Sequence, residues 1–250
     1  PLVAHAYGAG DSPRVGIYVR QSLWLVLGLA ALLVTGMVCV RPALVGIGTA
    51  PEIVPDAVGY VLAVACGFPA MLGFLALRYT SEGVGHTRPI MYIAMLGLVV
   101  NVIGNWIFMY GKFGAPALGA VGTGVSTAIV MWTMFGTMLW YVRRHRVYRP
   151  YAIFTRVERP DRARLREMLG LGIPISGSVV SEGALFVAAA LIIGTLGAVE
   201  VAAHQIAINY ASFMFMVPLA LHSATTIHVG HRLGAGDPLE VYAGAADLIV

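Results

Sequence analysis

The stretch QSLWLVLGLAALLVTGMVCV at Gln21–Val40 contains no Asp, Glu, Lys or Arg, and Arg20 and Arg41 bracket it. An α-helix needs about 20 mainly apolar residues to cross the hydrocarbon of a bilayer. A helix also satisfies its own backbone polar groups there. Working outward, the same arrangement recurs between Asp56 and Arg78, Arg88 and Lys112, Lys112 and Arg143, and Glu200 and Arg232. Between Glu167 and Glu200 the one charged residue is Glu182. Six spanning helices follow from this spacing. Composition agrees, with 58% hydrophobic and 11% charged residues in 250, where a soluble domain carries roughly 25% charged. The expected fold class is an all-α polytopic membrane protein.

The net charge of +4 is a matter of topology. If the six spans alternate from a cytoplasmic opening loop, 14 of the 16 basic residues fall on the cytoplasmic side, leaving Arg41 and Lys112 opposite. Basic residues concentrate on that side in membrane proteins, so no nucleic-acid partner is expected and the lipid bilayer is. Cys39 and Cys66 lie in different predicted helices and read as small apolar residues rather than a disulfide.

The segment YGAGDSP at Tyr7–Pro13 returns as LGAGDP at Leu233–Pro238, 226 positions later. Val3, His5, Gly8, Ala9, Gly10 and Asp11 all find identical residues at that offset. The predicted helices run over about 15–40, 54–79, 89–110, 120–142, 169–196 and 201–231, with a kink at Gly67 and Pro69 in the second. Residues 143–167, dense in Arg with Pro150 and Pro160, read as a linker between helices in 1–142 and helices in 168–250. An amphipathic stretch is expected at about 161–168. The opening PLVAHAY reads as the end of a helix and the closing ADLIV as the start of one, so the sequence reads as part of a longer chain. Secondary transporters are commonly built from such internal repeats, with sites at the repeat interface near the bilayer midplane.

Glu182 is the leading candidate for chemistry. It sits mid-way along an otherwise uncharged span, where a charged carboxylate costs about 2.5–3.5 kcal/mol on the insertion scale. Protonation, a bound cation or access to water relieves that cost, and each serves a cation-coupled transporter. A protonated Glu bonded to a neighbouring helix for packing is the structural alternative. Asn101 and Asn105, and likewise Gln205 and Asn209, stand four apart and share a helix face. They are substrate-cavity candidates, although interhelical hydrogen bonding accounts for such amides equally well. His204, His222, His228 and His231 read as interfacial anchors, and no metal site is expected apart from Na+ near Glu182. The sequence contains no HExxH, no paired intramembrane aspartates and no phosphate-binding Gly-x4-Gly-Lys-Ser/Thr loop, so neither enzymatic activity nor a cofactor is expected.

The segments NVIGNWIFMYGKFGAPALGAVGTGVSTAIVMW, LGLGIPISGSVVSEGALF, VAAHQIAINYASFMFMVPLALHSATTIHVGHRLGAGDP and RYTSEGVGHTRP resemble the multidrug and toxic compound extrusion (MATE) family, in its NorM-type branch. The resemblance implies a twelve-helix transporter of two six-helix bundles. It would export organic cations in exchange for Na+ or H+, as a monomer in the bacterial inner membrane. This stretch would hold the end of helix two, helices three to eight and the start of helix nine. The family's helix-seven acid matches Glu182 in context, and its helix-five amides match Asn101 and Asn105. Two other readings are a lipid-linked precursor flippase and a non-transporting scaffold. No Lys or Arg lies deep in any predicted span, which argues against a flippase cavity built for pyrophosphate.

Overall fold

The computed structural model describes residues 1–46, 51–52, 54–114, 116–155, 158–194 and 197–236. The helices are α1 (Leu2–Gly8), α2 (Ser12–Val38), α3 (Val40–Gly46), α4 (Val54–Ala65), α5 (Phe68–Gly83), α6 (Arg88–Tyr110), α7 (Gly119–Arg144), α8 (Arg162–Gly194) and α9 (Ala198–Gly234), with a 3₁₀ helix at Arg146–Tyr151. Among the described residues six spans are long and apolar enough to cross a membrane: α2, α4 with α5, α6, α7, α8 and α9. They correspond one for one with the five charge-free runs and the run that holds Glu182. The ends of α2, α5, α7 and α8 nearest Arg20, Arg78, Arg143 and Arg164 lie together, joined by Arg20–Glu158, Tyr18–Glu167 and Ser81–Tyr148, and form the arginine-rich end. Arg41 and Lys112 follow the opposite ends of α2 and α6.

The first span begins at Ser12 rather than Val15, because the Asp11 carboxylate caps it by accepting the Arg14 N–H at 2.9 Å. In the second span the expected kink is a full break between α4 and α5. Gly67 lies there because α7 passes so close that a Cβ would stand 2.9 Å from Ala128 Cα. Trp132 of α7 donates its indole N–H to the Cys66 carbonyl at 3.0 Å, satisfying a group the break leaves without a helical partner. Across α6 and α7, Gly97, Gly104 and Gly122 abut Met134, Ser126 and Phe108, and this close approach makes α6–α7 the most extensive helix pair. The amphipathic stretch at 161–168 joins the following span, and α8 runs unbroken through Pro174. Cys39 and Cys66 are free and exposed rather than buried.

The core of the first helix group lies toward the arginine-rich end, where Val15, Val19, Leu77 and Met138 are fully buried. Residues 143–155 and 158–161 are strapped onto this core. Tyr148 and Tyr151 are buried in it, with the Ser81 and Tyr148 hydroxyls 2.6 Å apart. Arg20 donates to the Ala152 carbonyl at 2.9 Å and pairs with Glu158 at 2.7 Å. Gln21 donates to the Arg159 carbonyl at 3.0 Å and accepts from the Asp161 N–H at 2.9 Å.

In both copies the Gly-Ala-Gly of the repeated motif is a helix stop; in the first copy Asp11 then starts α2, while Asp237 and the expected start of a further helix lie outside the described residues. Ala9 (φ −71°, ψ −4°) and Ala235 (φ −71°, ψ −8°) end their helices identically. Gly10 (φ 70°) and Gly236 (φ 78°) both take the left-handed conformation that glycine tolerates. The Ala9 and Ala235 N–H groups bond to the His5 and His231 carbonyls, both at 3.0 Å. The two copies also pack on each other. Gly8 lies against the His231 carbonyl, Gly234 lies against the His5 carbonyl, and Ala4 faces its own counterpart Gly230. A local two-fold axis therefore passes between α1 and α9.

Candidate functional site

Glu182 projects from α8, 12 residues before the helix ends at Gly194, or roughly 18 Å along the axis at 1.5 Å per residue. Its side chain is exposed, with no hydrogen bond or ion pair to another described residue. Beside α8, α2 meets only its first turns: Tyr18 donates to Glu167 at 2.9 Å, and Met168, Leu171 and Ile175 line a recess with Tyr18 and Thr80. No described residue of α8 is buried, and its contacts with the first group are confined to this foot. The principal contacts between the two helix groups are thus α1 with α9 and the foot of α8 with α2. Both lie at the arginine-rich end.

The amides of α6 are together. Asn105 donates its amide N–H to Asn101 Oδ1 at 3.1 Å, and Ser126 donates to the Asn101 backbone carbonyl at 3.4 Å. Asn105 Oδ1 is buried without a hydrogen-bond partner among the described residues, which leaves one acceptor for a cationic or hydrogen-donating group. Gln205 and Asn209 of α9 are exposed, and no hydrogen bond joins them to Asn101, Asn105 or Glu182. Of the five candidates, the structure brings together only the α6 pair. Among the described residues no three His, Cys, Asp or Glu side chains converge as a metal site. His231 instead bonds the Gly83 carbonyl through Nε2 at 2.7 Å and packs on the Tyr7 ring.

A second polar cluster, not anticipated from the sequence, lies at the arginine-rich end. His86 Nε2 and the Tyr141 hydroxyl are 2.8 Å apart, and the His145 ring lies 5.0 Å from that of His86. Burial foremost, then His145 and Arg88, hold His86 below its ordinary pKa of 6.5. Burial likewise raises Tyr148 above its ordinary range. The signal in the sequence was the recurrence of His and Tyr at positions 141, 145 and 148, which is helical spacing carried past the end of α7.

A family model described as MatE matches residues 1–107 and 174–249. This chain belongs to the MatE family. Among relatives of this MatE chain, a protein described as "Probable multidrug resistance protein NorM" of Xanthomonas campestris is 42% identical over 95% of the chain and 52% of its own length. A crystal structure of a MATE protein in complex with MaD3S superposes with a TM-score of 0.85 at 22% identity, covering 99% of this chain and 55% of that one. The MATE transporter NorM-NG, in a complex that includes a monobody, superposes with a TM-score of 0.74 at 28% identity, covering 94% and 51%. The chain spans about half the length of the curated relatives it matches. Its six spans are therefore a portion of the twelve-helix MATE fold.

Proposed function

We propose that the complete protein exports small organic cations in exchange for Na+ or H+ by alternating access, with Glu182 as the coupling carboxylate. The observation that supports this is the arrangement of the two helix groups. They are pinned to each other at the arginine-rich end, and the rest of α8, including Glu182, is free of the first group. A cleft of this kind, opening away from the pinned end, gives a cation and a drug access to the same carboxylate. Each neutralises it, so each displaces the other, and the two ligands stabilise different arrangements of the groups. The buried acceptor of Asn105 and the amides of Gln205 and Asn209 face the cargo in this reading. The arginine-rich end is cytoplasmic, in keeping with the basic-residue bias, and the membrane is the bacterial inner membrane.

Ethidium, a fluorescent aromatic cation, is a suitable probe. Proteoliposomes of the complete protein should release ethidium after a Na+ or pH jump. Glu182→Gln should abolish that ion-driven release, because the intramembrane charge that binds the coupling ion is gone, with unchanged expression and melting. Undiminished ion-driven release from the variant would remove Glu182 from the mechanism.

A further inference from the structure

On the outer side of α2, at the arginine-rich end, lies a recess of about 330 Å³ walled by Arg20, Trp24, Leu27, Arg143, Phe154 and Glu158. A second recess of about 260 Å³ adjoins it, sharing Arg143, Ile153 and Phe154 and adding Arg149. Three guanidinium groups and one carboxylate thus border a continuous depression. Arg20 is committed: it is nearly buried, paired with Glu158 at 2.7 Å and bonded to the Ala152 carbonyl. Arg143 and Arg149 are exposed and have no carboxylate partner among the described residues. Arg143 lies over the Phe154 ring, 4.9 Å from its centroid, which fixes a charged head on an aromatic platform at the rim.

The depth of the recess identifies its occupant. Arg20 is the last charged residue before the run Gln21–Val40, so this wall stands where hydrocarbon gives way to headgroups. Trp24, one turn deeper, anchors its indole N–H to the Glu158 carbonyl at 2.9 Å, in the position aromatic side chains favour at that boundary. Leu27 continues the wall toward the membrane interior, exposed and apolar. The depression therefore has a cationic end at headgroup level and an apolar track leading into the acyl region. A free anion would use the first and not the second.

We propose that this recess binds an anionic phospholipid of the adjacent leaflet. The phosphate lies between Arg143 and Arg149, and an acyl chain lies along Trp24 and Leu27. Bound there, the lipid bridges α2, the end of α7 and the strapped segment that leads to α8, so it ties the first helix group to the connection with the second. Basic recesses on this side of membrane proteins are suited to acidic headgroups.

The test uses the complete purified protein in mixed micelles of equal phosphatidylglycerol and phosphatidylcholine, with retained lipid counted by native mass spectrometry. Each arginine near an acidic headgroup is expected to contribute about five-fold to the preference. The wild type should hold phosphatidylglycerol at least about five-fold over phosphatidylcholine, and Arg143→Gln with Arg149→Gln should bring the ratio close to parity. Arg144→Gln with Arg146→Gln, on the same segment but outside the recess, should leave the ratio intact. Unchanged melting of lipid-free Arg143→Gln/Arg149→Gln protein shows that the fold survives. Three results overturn the proposal: no preference in the wild type, as when another part of the complete chain covers the recess; equal losses in both double variants; or displacement of the retained lipid by excess inorganic phosphate.

Discussion

His5 and His231, equivalent positions of the repeat, exchange the same contact: the backbone carbonyl of each is covered by the glycine that follows the other, Gly234 on His5 and Gly8 on His231. A Cβ at either glycine would overlap a main-chain oxygen, which cannot swing aside as a side chain can. Gly8→Ala and Gly234→Ala should therefore each force α1 and α9 apart, at about 1–3 kcal/mol. Because the contacts are symmetric, the two variants should lose similar amounts of melting stability in the complete protein. Gly28→Ala, with open space around it, should lose none. A large difference between Gly8→Ala and Gly234→Ala would show that the axis does not hold in the complete protein.

Arg20 ties α2 to the strapped segment through two carbonyls and Glu158. Arg20→Ala should loosen Tyr151, Ala152 and Glu158, leaving the Gln21 bonds to Arg159 and Asp161 in place, and destabilise the protein by about 1.5–3 kcal/mol, the range for hydrogen bonds made by a charged group. Limited proteolysis should then cut in that segment. Glu158→Gln should do less, because Glu158 is one-third exposed and solvent screens its share.

His86 makes the arginine-rich end acid-sensitive. In the unfolded chain it takes up a proton near its ordinary pKa of 6.5, whereas the folded protein resists protonation. The unfolded state binds more protons over this window, so the site's contribution is complete above that pKa and is lost as pH falls below it. The melting temperature should drop between about pH 7.5 and pH 5.5, and His86→Phe should flatten part of the drop. A slope identical in the variant would assign the acid sensitivity to other groups.

The Trp132 indole holds the break between α4 and α5 by capping the Cys66 carbonyl. Trp132→Phe keeps an aromatic ring and removes the donor, which should destabilise by about 1 kcal/mol. Hydrogen exchange should rise locally at Cys66–Met71 rather than throughout the span. Uniform protection there would mean that the carbonyl finds another donor.

The six spans were legible because charge is excluded from hydrocarbon, so Arg20, Arg41, Arg78, Arg88, Lys112 and Arg143 fall within about two turns of helix limits. Gly67 and Pro69 announced the α4–α5 break for a local reason, a missing N–H and a missing side chain. The repeat at offset 226 indicated that two turns would look alike. It did not indicate that they would touch, because a contact between distant segments leaves no mark on local periodicity. The strapped segment was least legible: nine arginines and two prolines in 143–167 read as a solvated linker. Its anchoring depends on Arg20 and Gln21, both more than 120 positions away. Among the candidate site residues, spacing alone united Asn101 with Asn105. The environment of Glu182 depends on which helices flank α8, and that lies outside what a single span can encode.

The pair of hydrogen bonds made by Gln21, one donated to the Arg159 carbonyl and one accepted from the Asp161 N–H, ends a single residue before α8 begins at Arg162. The connection between the two halves therefore has no slack to release. In the proposed transport cycle it is an elbow, not a leash: the foot of α8 swivels about this clamp and stays beside α2. In that cycle the stroke of the second group is greatest at the membrane face farthest from the arginines.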